Sequence, residues 1–210
     1  MGLYFSDCDL IPESAAHLSR LIRDAPRLST LLIYHDYVVD AVSAPVLAAA
    51  LRVSSLVVLC LEEVNSWRHE GVGSVLIDAL VGHPTLQEIM LPANQIQFAD
   101  PQNTVGACLA RLIVANSPGL HTLSLAYCFA GDDALWPVFA ALAFNTCLPT
   151  LHVQCNKLSA PFARNTVLPS LRTNTALRKI VLVDDAVEDE RNEKCIQQLL
   201  KAEALVAARR

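Results

Sequence analysis

Apolar positions along this 210-residue chain fall into one recurring triad: an apolar residue, two variable ones, a second apolar residue, one variable position, a third apolar residue. Leu120–Leu125 (LHTLSL) and Leu148–Val153 (LPTLHV) show it most plainly. The same spacing gives Leu28/Leu31/Ile33, Leu56/Leu59/Leu61, Leu86/Ile89/Leu91 and Leu177/Ile180/Leu182. First anchors at 28, 56, 86, 120, 148 and 177 are separated by 28, 30, 34, 28 and 29 residues. Leu3 and Phe5 fit the second and third anchors of an earlier unit, which makes about seven. Second and third anchors lie two apart, so on an extended strand they share one face and must be buried together. Burying one such side chain stabilises by roughly 1.5 to 3 kcal/mol, too little for a lone unit. The units must therefore stack, which predicts one strand per unit in a single parallel sheet.

Between the triads the period changes. In ESAAHLSRLIRDAP (13–26), SAPVLAAALRVS (43–54), GVGSVLIDALVGHP (71–84), TVGACLARLIVANSP (104–118) and DDALWPVFAALAFNT (132–146) apolar residues recur at helical spacing. Four of these five runs close on Asn, Gly or Pro, and each return path is predicted to carry a helix. Pro137 is placed near a helix start, where a first-turn amide has no partner to lose. Pro169 is expected to shorten or kink the helix in NTVLPSLRTN (165–174). The 34-residue step is assigned to an insertion after Asn94, in QIQFADPQNT. Residues 1–187 read as the repeat array and 188–210 as an amphipathic capping helix, with Arg209 and Arg210 at its favourable C-terminal end.

A unit of this length, with a Gly/Ala-x-x-Leu-x-x-x-Leu stretch and an Asn near the helix end, resembles the ribonuclease-inhibitor-like leucine-rich-repeat family. The resemblance covers Leu3 to about Ala208. It implies an α/β solenoid, a horseshoe with the parallel sheet on its concave face and helices on its convex face, and protein recognition by the concave surface. It also implies that an Asn or Cys at the ninth position of each unit hydrogen-bonds the turning backbone. Here that position holds Cys8, Asp36, Val64, Asn94, Cys128, Asn156 and Asp185. Cys8 and Cys128 are then ladder members, not nucleophiles or ligands, and Val64 departs from the pattern.

The third, fifth and seventh positions point away from the anchors and are expected to face solvent. In the first half of the chain they bring together Leu32, Tyr34, Val58, Cys60 and Met90, ringed by Glu62, Glu63 and Glu88. An apolar centre with an aromatic anchor and a charged rim is the anatomy of a protein-binding patch. The acidic rim suits a basic partner.

Net charge is −5, the chain is 53% hydrophobic with mean hydropathy +0.36, and no basic cluster is present, which argues against nucleic acid and anionic membranes as partners. The longest apolar run, Ala134–Phe144, is short of a membrane span and holds Pro137. Seven cysteines without a C-x-x-C pair, no glycosylation sequon and no signal pattern predict reduced thiols and a cytoplasmic setting. Met1–Ser6 matches the letters of an N-myristoylation signal, but Leu3 and Phe5 are claimed by the first strand.

Catalysis has one candidate pair, His35 and Cys60 on adjacent strands, with no third group to orient it, so no enzymatic activity is expected. Cys128, His121 and Cys155 match no zinc spacing, and no cofactor is expected. Ran GTPase-activating proteins share the repeat class. That implies a second reading, a regulatory domain acting on a small GTPase through Arg68 in the loop NSWRHEG. A third is a structural segment of a larger receptor or effector. The first strand lacks a cap, so the residues are expected either to continue a longer protein or to use that strand as a contact surface.

Overall fold

The computed structural model describes residues 1–6, 12–35, 39–63, 71–94, 104–183 and 193–209. Each triad forms a strand: β1 Gly2–Ser6, β2 Thr30–Tyr34, β3 Val58–Glu62, β4 Glu88–Met90, β5 Thr122–Ser124, β6 Thr150–His152 and β7 Lys179–Val181. They make one seven-stranded sheet, every neighbouring pair parallel, in chain order. The register sets Leu3, Leu31, Leu59, Ile89, Leu123, Leu151 and Ile180 in one row, as the anchor alignment requires. From Leu31 onward that row is buried, whereas Leu3 on the edge strand is half-buried.

Helices return the chain between strands: α1 Pro12–Asp24, α2 Ser43–Arg52, α3 Val72–Asp78, α4 Thr104–Val114 and α5 Gly131–Leu142. They pack side by side in chain order. Each buries one stripe, such as Ala15, Leu18 and Ile22 in α1 and Leu135, Val138, Phe139 and Leu142 in α5. These stripes meet the strand anchors in one continuous core, so the sheet is covered on one face. Along β2 buried residues alternate with half-exposed ones, the half-exposed set lying on the other face.

Two hydrogen-bonded rows tie the repeats together. After the strands, Asn94 Nδ2 donates to Leu61 O (2.6 Å), Cys128 Sγ to Leu91 O (3.0 Å) and Asn156 Nδ2 to Leu125 O (2.6 Å). Cys8, Asp36, Val64 and Asp185 lie outside the described residues. Before the strands, Asn145 and Asn174 donate to Ile113 O and Leu142 O and accept from the amides of Leu148 and Leu177. His83 fills the same place with a ring: Nε2 donates to Leu51 O at 3.0 Å and Nδ1 accepts from Leu86 N at 3.2 Å. That network assigns the neutral Nε2–H tautomer.

Of the two proline expectations, one is overturned and one holds. Pro137 is interior to α5, because the helix already starts at Gly131 with Asp132 and Asp133 in its first turn. The proline removes one amide from the helical ladder at a half-exposed position, where water can serve the freed carbonyl. The segment holding Pro169 is broken into α6 Ala160–Phe162, a π-helical turn Ala163–Val167 and α7 Leu168–Thr173. The helix is shortened as expected at Pro169: the proline, which has no N–H to give, comes just after the wider π-helical turn, where the hydrogen-bonding pattern changes.

The last helix, α8 Glu193–Ala207, buries Cys195, Leu199, Ala202 and Val206 and packs beside β7. Glu203 Oε1 accepts from Leu182 N (2.5 Å) and Val183 N (3.0 Å), and Arg209 Nη2 donates to Leu171 O. Among the described residues no helix is long and apolar enough to cross a membrane. The insertion after Asn94 and the loop carrying Arg68 lie outside the described residues.

Candidate functional site

The uncovered face of the sheet is built from rows across the strands. Over β1–β4 one row reads Gly2, Thr30, Val58, Glu88; the next Tyr4, Leu32, Cys60, Met90; the third Ser6, Tyr34, Glu62. Strands lie roughly 4.8 Å apart, so residues of one row touch their neighbours. Leu32, Tyr34, Val58, Met90, Glu62 and Glu63 are half-exposed and Glu88 is exposed. The apolar and acidic residues named from the sequence are thus brought together on one surface.

Cys60 is the exception. It is only 3% exposed, although its row faces the open side. Its short side chain stands between the longer ones of Leu32 and Met90 on the flanking strands. Burial, with the Glu62 carboxylate adding to it, pushes the Cys60 thiol up to about 12. Cys60 is therefore the floor of the patch, not a contact residue. The same facts dissolve the His35–Cys60 pair: the thiol stays protonated, and His35 Nδ1 lies 2.9 Å from Glu63 Oε2.

Tyr4, at the solvent-facing fifth position of its unit, and His35, named from the sequence only as a possible partner of Cys60, both border this surface. Tyr4 is 68% exposed beside Leu32, and its ring lies back over Gly2, where an added Cβ would stand 3.0 Å from Cε2. Tyr34 has its phenol raised above the usual range by partial burial, then by Cys60, Glu62 and Tyr4. Its ring centroid is 6.4 Å from that of His35. Tyr4 shares a row with Leu32, as stepping back one repeat places it. His35 occupies the left-handed position that ends the strand.

Beyond β4 the face changes character. Thr122, Ser124, Thr150 and His152 line β5 and β6, and Lys179 ends the row on β7. Burial lowers the His152 pKa, and Lys179 lowers it further. Among the described residues no group of three or more His, Cys, Asp or Glu could hold a metal ion. Cys128 spends its thiol proton on Leu91 O. No protein-family model matches this chain, and none of the curated proteins compared with it matches.

Proposed function

We propose that the chain is a non-enzymatic protein-interaction module: a leucine-rich-repeat solenoid of the ribonuclease-inhibitor-like kind, cytoplasmic, binding a partner protein on the uncovered, concave face of its sheet. The observation that carries this reading is the cluster of Tyr4, Leu32, Tyr34 and Met90, on neighbouring strands and at least partly open to solvent, bordered by Glu62, Glu63 and Glu88. Aromatic and aliphatic anchors of this kind dominate binding energies when a partner desolvates them. Among the described residues on this face of β1–β4 there is no Lys or Arg, so the carboxylates suit a basic partner segment. The Glu63–His35 pair is half-exposed and contributes little to stability.

The test is affinity capture with the wild-type chain, Tyr34→Ala, Glu62→Lys, and Trp136→Ala as a control on the helical side. Tyr34→Ala is expected to weaken capture by about 2 kcal/mol, the size of a binding hot spot. Glu62→Lys should weaken it further at low salt, Trp136→Ala should not, and circular dichroism should show all three folded. Full capture by both sheet-face variants would refute the site.

A further inference from the structure

The outer edge of β7 is only partly closed. Lys179 N donates to Pro149 O at 2.9 Å and Val153 N to Val181 O at 2.8 Å, so residues 179 and 181 face β6. In a parallel ladder the alternate residues, Ile180 and Leu182, then direct their N–H and C=O groups to the outer edge. In earlier repeats the amide of the third anchor is taken by the next strand: Leu91 N by Ser124 O, Leu125 N by His152 O, Val153 N by Val181 O. At Leu182 no next strand exists among the described residues, and Glu203 Oε1 stands where that carbonyl would be, at 2.5 Å. One side chain of α8 thus imitates an eighth strand at one end of the edge. Among the described residues nothing does the same at Ile180.

Beside Ile180 lies an open groove of about 380 Å³. It is lined by Leu200, Ala204 and Ala207 of α8 and by Arg178 and Lys179 on the strand side. All five of these side chains are exposed. The volume is at the lower end of the roughly 300–1,000 Å³ typical of ligand sites. At a rise of roughly 3.3 Å per residue, a few extended residues suffice to pair with one strand position.

We propose that this groove receives an extended acidic peptide of a partner protein as an eighth strand, its backbone pairing with the N–H and C=O of Ile180 and its carboxylate meeting Arg178 and Lys179. Backbone pairing to an exposed sheet edge supplies affinity without demanding a particular sequence, and the two cations select the charge. Glu203 also lines the groove, but two backbone amides hold its Oε1 and the two cations outnumber its single charge. The site lies at the opposite end of the sheet from the Tyr34 cluster and stands independently of it.

The experiment uses the full chain and a fluorescein-labelled five-residue Val/Thr peptide with an acidic residue at each end. Two controls are the same peptide N-methylated at its central residue and a version with lysine at both ends. Fluorescence polarisation should give a Kd below about 1 mM for the acidic peptide. The N-methylated and lysine peptides should bind at least about ten-fold more weakly, a loss the cited scale equates with about 1.4 kcal/mol. The double variant R178E/K179E should lose at least as much, Ala204→Trp should abolish binding by filling the groove, and bound peptide should slow hydrogen exchange at the Ile180 amide. No binding at 1 mM, equal binding of the N-methylated peptide, or indifference to R178E/K179E would overturn the proposal. So would concentration-dependent self-association that Ala204→Trp removes, which would assign the groove to a strand of a second copy.

Discussion

Each strand whose exit is described, from β2 to β6, ends in a residue with left-handed backbone, and none of the five is glycine: His35 (φ 54°), Glu63 (49°), Ala93 (59°), Tyr127 (58°) and Cys155 (57°). The conformation is imposed by the sheet, because the amide of that residue continues the ladder, as Ala93 N does to Ala126 O at 2.9 Å. A Cβ in this region costs roughly 1–2 kcal/mol, partly offset in a glycine by greater freedom when unfolded. Ala93→Gly is therefore expected to stabilise the chain by about 0.5–1 kcal/mol, read as a higher urea midpoint at unchanged slope. A lower midpoint would mean the left-handed turn carries no strain. Residue size also explains what the sequence left hidden. The alternation of a strand assigns Cys60 correctly to the open face, but exposure there depends on neighbours one repeat away, and Leu32 and Met90 are both larger. With thiols pushed up to about 12, Cys60 and Cys128 should resist iodoacetamide at about pH 8 in the folded chain, while half-exposed Cys147 and Cys155 are labelled. Labelling of Cys60 in the native protein, seen by peptide mass spectrometry, would put it back among the contact residues.

At the level of elements, the strands were legible because three anchors per repeat fix both position and register, and a one-residue slip would turn every anchor to water. Helix starts were less so. Pro137 suggested a boundary, yet the buried stripe Leu135, Val138, Phe139 and Leu142 outweighs one lost helical amide. The turns joining helices to strands carry a pH dependence that composition alone does not reveal. His83 is buried, donates through Nε2 to Leu51 O and accepts the amides of Leu86 and Thr85 at Nδ1, with Ser54 Oγ 3.2 Å from Nε2. Burial lowers its pKa below the ordinary 6.5, the bond to Leu51 O only partly opposing this. Between the folded value and 6.5 the unfolded chain binds the additional proton, so the His83 contribution is complete above pH 6.5 and is lost as pH falls through the folded pKa. His83→Asn, which copies the bonding of Asn145 and Asn174, should reduce the stability difference between about pH 7 and about pH 5. The remaining slope would include His152, lowered in the same direction. An unchanged pH profile in thermal melts would remove His83 as its source.

For the whole molecule, strand order equals chain order, and the helices pack in the same sequence. Each repeat therefore relies on the ones before and after it, and a defect matters according to how many neighbours it severs. Leu123 is fully buried on β5, between Ile89 and Leu151, with repeats on either side. Leu3 holds the equivalent place on β1 but is half-buried and has Leu31 on one side only. Introducing aspartate at Leu123 puts an unpaired charge in the core and breaks the contact between the two halves of the array. Aspartate at Leu3 can reach water by a small shift and leaves five strand pairs intact. Leu123→Asp is expected to cost more than about 4 kcal/mol and to abolish the folded circular-dichroism signal, while Leu3→Asp should cost about 1–2 kcal/mol and lower the urea midpoint modestly. Equal losses at the two sites would mean that the chain folds as one indivisible unit and that its ends are as firmly held as its centre. The neighbour-by-neighbour account of its stability would then fail.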